Sequence, residues 1–260
     1  MTSRQLKARC FVNAPFSYLE QNLDRFVAEG IQPEIGLEGE ALYRRSLDEF
    51  KRVADRLLTA GLSCTLHAPF FELSIGALDP HIRQVSRDKM RRAFALIPLF
   101  QPRSIVCHLG FEENKHGYKE KEWFRYALDG WRELLDLAAA HDTPLMLENT
   151  YETGPGQHKK ILAALASPYA RFCFDVGHVL AFAKNRWQDW LPELEPWLGQ
   201  LHLHDNHGGH DAHLAIGQGI FDFRGLFDYM KQRHLSPLLT MEPHHEGGVE
   251  ASFAALAKLV

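Results

Sequence analysis

The chain has no C-x-x-C pair, no run of like charges, no low-complexity block and no Gly-rich dinucleotide turn after its first apolar run. Its four cysteines, Cys10, Cys64, Cys107 and Cys173, each sit alone in a short apolar stretch. That spacing excludes a zinc knuckle or a redox pair and implies free buried thiols in a reducing compartment. No apolar stretch approaches the roughly 18 residues of a membrane span, and the opening MTSRQLKARC has no apolar leader segment. A cytoplasmic protein with no membrane partner is expected. Twenty-nine Lys+Arg against 33 Asp+Glu leave a net charge of −4. The basic footprint of a nucleic-acid binder is therefore missing, and DNA is not the expected partner. Without a linker, the 260 residues read as one domain, 1–260.

What is present is a rhythm of short β-prone runs alternating with longer segments of helical period. The runs are Cys10 to Ala14, Pro33 to Leu37, Cys64 to Ala68, Ser104 to Leu109, Pro144 to Asn149, Arg171 to Val176, Gln200 to Asp205 and Pro237 to Pro243. Between them, SLDEFKRVADRLLTAG reads as a helix with Ser46 as N-cap, Glu49 in capping-box position and Gly61 ending the pattern. Tyr118 to Ala140 carries an apolar stripe of Leu128, Trp131, Leu134, Leu135 and Leu137. Eight strand-and-helix units predict an α/β protein, a (β/α)8 TIM barrel. An open doubly wound sheet is the alternative, and the missing dinucleotide turn argues against it.

The chemistry lies where the strands end. The third ends in His67, the fourth in His108, the fifth in Glu148 and the sixth in Asp175; the seventh carries His202 and His204, and the eighth ends in Glu242. In a parallel barrel these ends meet on one face. A cluster of buried imidazoles and carboxylates is costly unless a cation or hydrogen bonds compensate. Two loops add His178 in FDVGH, and Asp211 and His213 in NHGGHDAHLAIGQG, a loop long for its position. Imidazole plus carboxylate without cysteine suits zinc, manganese or iron and argues against a structural zinc.

The motifs LHAPF, VCHLG, LMLENT, FDVGHVLAF, LHLHDN, DAHLAIGQG and LTMEP, from Cys64 to Glu242, resemble the series of the AP endonuclease family 2. This is the xylose isomerase-like TIM-barrel superfamily, which contains endonuclease IV and many sugar isomerases and epimerases. The resemblance implies two to three divalent ions, zinc foremost and otherwise manganese or iron. By analogy with endonuclease IV, His67 and His108 would hold a first ion, with Glu148 bridging to a second. Asp175, His202 and Glu242 would complete that second site, and His178, Asp211 and His213 would hold a third. On the seventh strand His202 fits the family pattern; His204 is then expected to support the ligands or face the substrate, with the choice between the two histidines open. Asp205, Tyr151 and His244 are further candidates for substrate contact or ligand support.

The superfamily implies two chemistries. Isomerases and epimerases use one ion on Glu148, Asp175, His202 and Glu242, the two glutamates moving a proton. Phosphoesterases use all three ions. The complete donor set favours a metal-dependent hydrolase acting on a phosphoester of a small sugar- or nucleotide-like molecule, with sugar or sugar-phosphate isomerase or epimerase as the alternative. A non-catalytic sensor or scaffold ranks last, because Glu148 and Glu242 are both present. Phe70, Phe71, Tyr151 and Phe182 could line a pocket or simply pack. Lys184 and Arg186 are candidate phosphate contacts but read more simply as a solvated helix face, His207, His210 and His245 read as loop residues, and His116, His141, His158 and His234 are given no role.

Overall fold

The computed structural model describes residues 6–260. Eight strands, β1 (Cys10–Pro15), β2 (Gln32–Gly36), β3 (Thr65–His67), β4 (Ile105–His108), β5 (Leu145–Glu148), β6 (Ala170–Asp175), β7 (Leu198–Leu203) and β8 (Leu238–Met241), pair in chain order. All pairs are parallel, and β1 joins β8 to close the barrel. Every expected run contains a strand, with ends shifted by at most two residues. His67, His108, Glu148 and Asp175 are the last residues of β3 to β6, while His204 and Glu242 lie just beyond β7 and β8.

Helices cover the outside: α1 (Phe16–Glu29), α2 (Leu47–Thr59), α3 (Pro80–Phe94), α4 (Glu120–Ala139), α5 (Gly156–Leu165), α6 (Phe223–Gln232) and α7 (Glu246–Leu256). Short helical turns replace a long helix after β6. Each long helix starts and buries a face for a local reason. In α2 the Ser46 hydroxyl accepts from the Glu49 amide while Glu49 accepts from the Ser46 amide, satisfying two amides that have no partner inside the helix. Its buried residues, Phe50, Val53, Ala54 and Leu57, fall at helical spacing. Asp79 caps α3 ahead of Pro80, whose missing N–H costs nothing in a first turn. Trp123, Ala127, Trp131, Leu134 and Ala138 form the buried stripe of α4, whereas Leu137, expected in that stripe, is exposed.

Strand alternation sorts the residues into two interiors. One set packs outward against the helices and forms the main apolar core. The inward set is different in kind: Val106, Met146 and Cys173, with Leu238 beside them, make an apolar plug inside the barrel. Above the plug the inward positions are polar, including Glu34, Thr65, Gln200 and Thr240, all fully buried. The β6–β7 register shifts by one residue at Gly199, so that Gln200 pairs with Cys173 and His202 with Asp175. That extra residue puts Gln200 and His202 on the inside. A Cβ on Gly199 would approach the Met146 sulfur to 2.7 Å, so a side chain there would have to displace the end of Met146 in the plug.

The Ser46 cap is exposed enough to be tested without disturbing the core. Ser46→Ala should lower the unfolding free energy by about 1 kcal/mol, read as a shift of the urea midpoint at unchanged slope.

Candidate metal centre

At the C-terminal mouth of the barrel the nine residues expected there come together. Glu148 is the hub. Its Oε2 lies 3.0 Å from His67 Nε2 and 3.3 Å from His108 Nε2. Its Oε1 lies 3.2 Å from His202 Nδ1. The same Nδ1 is 3.3 Å from Glu242 Oε1 and 3.9 Å from Asp175 Oδ2. A third group sits on the β7 loop, where Asp211 Oδ2 is 2.8 Å from His213 Nε2 and 3.4 Å from His178 Nε2.

The imidazoles are oriented by what their other nitrogen meets. Nδ1 of His67 contacts the Ala68 carbonyl at 2.9 Å, that of His178 the Asn149 carbonyl at 2.8 Å, and that of His213 the Glu242 carbonyl at 2.8 Å. A carbonyl only accepts, so each Nδ1 carries a proton, and whenever the ring is neutral its Nε2 lone pair faces a carboxylate. Two acceptors then face each other, buried, at hydrogen-bond distance. Such a pair needs a proton or a cation between its members. Among the described residues, His204 Nδ1 and Asp211 Oδ1 are buried without hydrogen-bond partners, 3.5 Å apart. These donors fit divalent ions of the oxygen- and nitrogen-binding kind.

His204 does not simply add a fourth donor to the His178, Asp211 and His213 group. Its ring lies parallel to that of His213, with centroids 3.9 Å apart and planes 5° apart. Lone pairs lie in the ring plane, so two stacked imidazoles cannot both aim at one ion. His204 instead places Nε2 3.0 Å from both oxygens of Asp175 and fixes that carboxylate. The glycine of FDVGH makes room for it, since a Cβ on Gly177 would fall 2.0 Å from His204 Cε1. His244 stacks on the outer face of His213, at 3.7 Å, and is exposed.

Asp205 is turned away from the mouth. Its carboxylate accepts from the amides of Asn206, Gly217, Gly219 and Phe221, which builds the AIGQG loop. Tyr151 and Phe182 stand on the rim 4.8 Å apart, with Phe182 5.3 Å from His178. With Asn114, Thr153 and Lys184 they line a cleft of about 430 Å³. Phe70 stacks on His108 at 4.4 Å beside the exposed Phe71. Arg186 pairs with Asp189. His207, His210, His245, His141 and His234 are exposed, whereas His116 accepts from the Glu112 amide and His158 is buried.

The sequence reading stopped at strand ends and so missed the polar layer beneath the mouth: Asn13, Glu34, Thr65, Gln200 and Thr240. A charged residue inside the β-prone run PEIGL was the available signal. It also missed Asn149, whose side chain bonds the Asp175 amide and carbonyl, and Glu152, which accepts from the Phe111 and Thr150 amides. Burial pushes Glu152 up to about 7.

The electrostatics separate the carboxylates. Burial alone would raise Glu148, but the charges of His202 and His108 hold it well below the usual carboxylate range. Burial also opposes ionisation of Asp175, which His178 and His204 lower. Glu242 is raised by burial and by the charges of Asp175, Glu148 and Glu34, against the pull of His202. Burial disfavours charge on His178 and His213, yet Asp175 and Asp211 lift His178 to about 10, and Asp211 lifts His213 to about 9.

A family model described as xylose isomerase-like TIM barrel matches residues 27–259. The uncharacterized protein MJ1614 of Methanocaldococcus jannaschii is 23% identical over 185 residues, covering 70% of this chain and 71% of that one. Among solved structures, the TTHB071 protein from Thermus thermophilus, soaked with ZnCl2, superposes with a TM-score of 0.83 at 23% identity, covering 97% of this chain and 98% of that one. A D-tagatose 3-epimerase-like protein gives a TM-score of 0.83 at 17% identity, with 96% of each chain covered. At these identities the superpositions show a shared fold.

Two outcomes follow from the geometry. In metal-free protein His178 and His213 have folded pKa values above the unfolded value of about 6.5. Their contribution to stability should be complete below about pH 6.5 and disappear as the pH rises through 9 to 10. Divalent ions must displace the same protons, so affinity should keep rising above neutrality. Denaturant midpoints with chelator, and competition titrations with metal, read the two effects; an affinity flat from pH 7 upward would contradict them. Separately, Gly177→Ala should cost roughly 1–3 kcal/mol in wild type, as overpacking does. The same change should cost little once His204→Ala has removed the clash, and a double-mutant cycle reads the difference.

Proposed function

The chain belongs to the xylose isomerase-like TIM barrel family, and from that premise we propose that it is a divalent-metal-dependent isomerase or epimerase of a small sugar or sugar phosphate. The observation that carries the reading is the core cluster, in which Glu148 Oε1, Glu242 Oε1 and Asp175 Oδ2 lie 3.2, 3.3 and 3.9 Å from His202 Nδ1. These four residues would hold the ion. When bound, it supplies Lewis-acid polarisation of a substrate carbonyl.

The protein's own share of the reaction is proton transfer and orientation. Glu148 and Glu242 come from strands three places apart around the ring of eight, so they approach a substrate from different sides. Their environments push in opposite directions, which is how a base and an acid are kept distinct in one site. Glu148 takes the proton from the carbon beside the carbonyl, and Glu242 delivers one. Asp175 is held in orientation by His204. The rim cleft with Tyr151, Phe182 and Lys184 would receive the rest of a polar, ring-bearing substrate. The D-tagatose 3-epimerase-like relative, similar in fold over nearly the whole chain, supports sugar as the substrate class.

A second reading has its own observation. His67 and His108 face the outer oxygen of Glu148, and His178, Asp211 and His213 form a separate group, so donors for three ions are present. That set would suit hydrolysis of a phosphoester.

One experiment decides between them. With Mn2+ or Zn2+ added, ketoses, aldoses and their phosphates are incubated in D2O, and deuterium entering beside the carbonyl is followed alongside phosphate release. Exchange without hydrolysis is the expected result. Glu148→Gln and Glu242→Gln should each reduce exchange by about 10²–10⁴-fold. The pair Asp211→Ala and His213→Ala should leave most of it. Phosphoester cleavage that falls by about 10²–10³-fold in that double variant, with no exchange in wild type, would replace this reading by the hydrolase one.

A further inference from the structure

His202 is the exception among the oriented imidazoles. His67, His178 and His213 are fixed through Nδ1 by backbone carbonyls, which any sequence supplies. His202 turns Nδ1 toward Glu148, Asp175 and Glu242, and its Nε2 points down into the polar layer, 3.1 Å from Glu34 Oε1. Both residues are fully buried.

The hydrogen atoms of that layer can be counted. Ser104 donates its hydroxyl to Gln200 Oε1 at 2.6 Å, which fixes the Gln200 amide. The two amide hydrogens of Gln200 go to Glu34 Oε2 at 2.6 Å and Thr240 Oγ1 at 3.0 Å. Thr240 and Thr65 then donate their hydroxyls to the same Glu34 Oε2, at 3.2 and 2.8 Å. Oε2 is saturated by three donors. Gln200 Nε2 also lies 3.4 Å from His202 Nε2, but has no hydrogen left for it. Glu34 Oε1 is open to a donor, and beside the Asn13 amide at 3.4 Å the group facing it is His202 Nε2.

We infer that Glu34 is the positioning residue of His202: it accepts the Nε2–H and thereby holds the ring in the tautomer that presents the Nδ1 lone pair to Glu148, Asp175 and Glu242. The inference rests on the metal-dependent reading above. A carboxylate behind a ligating imidazole fixes its tautomer and raises its basicity, and removing such a partner costs about 10–100-fold in metal affinity. The consequence of Glu34→Gln follows from the same count. Three donors converge on the Oε2 position, so the glutamine must place its oxygen there and its NH2 against His202. The ring then has to accept on Nε2 and carry its proton on Nδ1, with no lone pair toward the cluster.

The test is made on the full chain labelled with 15N-histidine and loaded with Zn2+, His202 being assigned by its loss in His202→Gln. Wild type should show a proton on Nε2 of His202 with the ion on Nδ1. In Glu34→Gln, Zn2+ affinity followed through the His202 resonances should fall by about 10–100-fold and the Nε2 proton should be lost. Affinity within threefold of wild type with the Nε2 proton retained overturns the role of Glu34. Should Glu34→Gln fail to fold, the wild-type spectrum alone decides, because a proton on Nδ1 overturns it as well. Zn2+ binding by wild type without conversion of any sugar retires the isomerase reading and leaves this test intact. Equal affinities in wild type and variant retire Glu34 and leave that reading intact. A wild type that binds no Zn2+ overturns both.

Discussion

A buried carboxylate that meets imidazole nitrogens with both of its oxygens is the constraint around which the mouth is built. Glu148 is almost fully enclosed and meets His67 and His108 with one oxygen and His202 with the other. Left uncompensated, that arrangement is costly, because acceptors repel in a low-dielectric interior. It survives in the fold because positive charge, as protons or as a bound cation, resolves it. Stability and the metal binding proposed above would therefore draw on the same atoms, and a mouth optimised for folding alone would have none of them.

The support for these side chains comes in two grades. His67 at the end of β3, and His178 and His213 in the segments after β6 and β7, lean on backbone carbonyls, and Asn149 clamps the Asp175 backbone as a strand neighbour would. These supports come with the barrel and need no particular partner side chain apart from Asn149. The β7 side is different. There the Gly199 bulge, the Gly177 gap and the layer of Glu34, Gln200, Thr65 and Thr240 are all side-chain or glycine solutions, each specific to one position. The barrel gives up apolar filling to accommodate that layer and keeps only a small plug of Val106, Met146 and Cys173 below it.

How much of this could be read beforehand follows the same division. Strands, their order and the residues at their ends were legible, because period-two runs bounded by helical segments determine a barrel and a barrel gathers its strand ends. Their joint location was legible for the same reason. What stayed hidden depended on tertiary geometry. Glu34 sits in the middle of a run that looks like any buried strand, and only closure of the barrel brings it beneath His202. Asp205 was misleading in the opposite way: it is next to His204 in sequence, but its four amide contacts commit it to the loop. His202 and His204 could not be told apart by alternation, which turns both inward; in the fold His202 turns Nδ1 toward Glu148, Asp175 and Glu242, whereas His204 turns Nε2 to Asp175 and stacks its face on His213.

The core and outer groups stand on different foundations. Glu148, Asp175 and His202 lie on strands of the closed barrel and Glu242 directly follows β8, so the barrel itself sets their backbone positions. Asp211 and His213 sit on a loop whose shape is set by Asp205 and by backbone turns, with His213 itself in the left-handed region at φ 46°. A non-glycine residue held there stores strain that its surroundings must outweigh. Contacts of its ring on both faces, with Nδ1 on the Glu242 carbonyl, supply that restraint. The loop can thus be rebuilt without touching the strands, and with it the third donor group can be kept or lost. Proton transfer needs only what the strands provide, while a multinuclear phosphoester site needs the loop as well. On the isomerase reading proposed above, the chemistry that depends on fewer restraints would be carried by the strand-borne residues, and the strained loop is where its specificity would change.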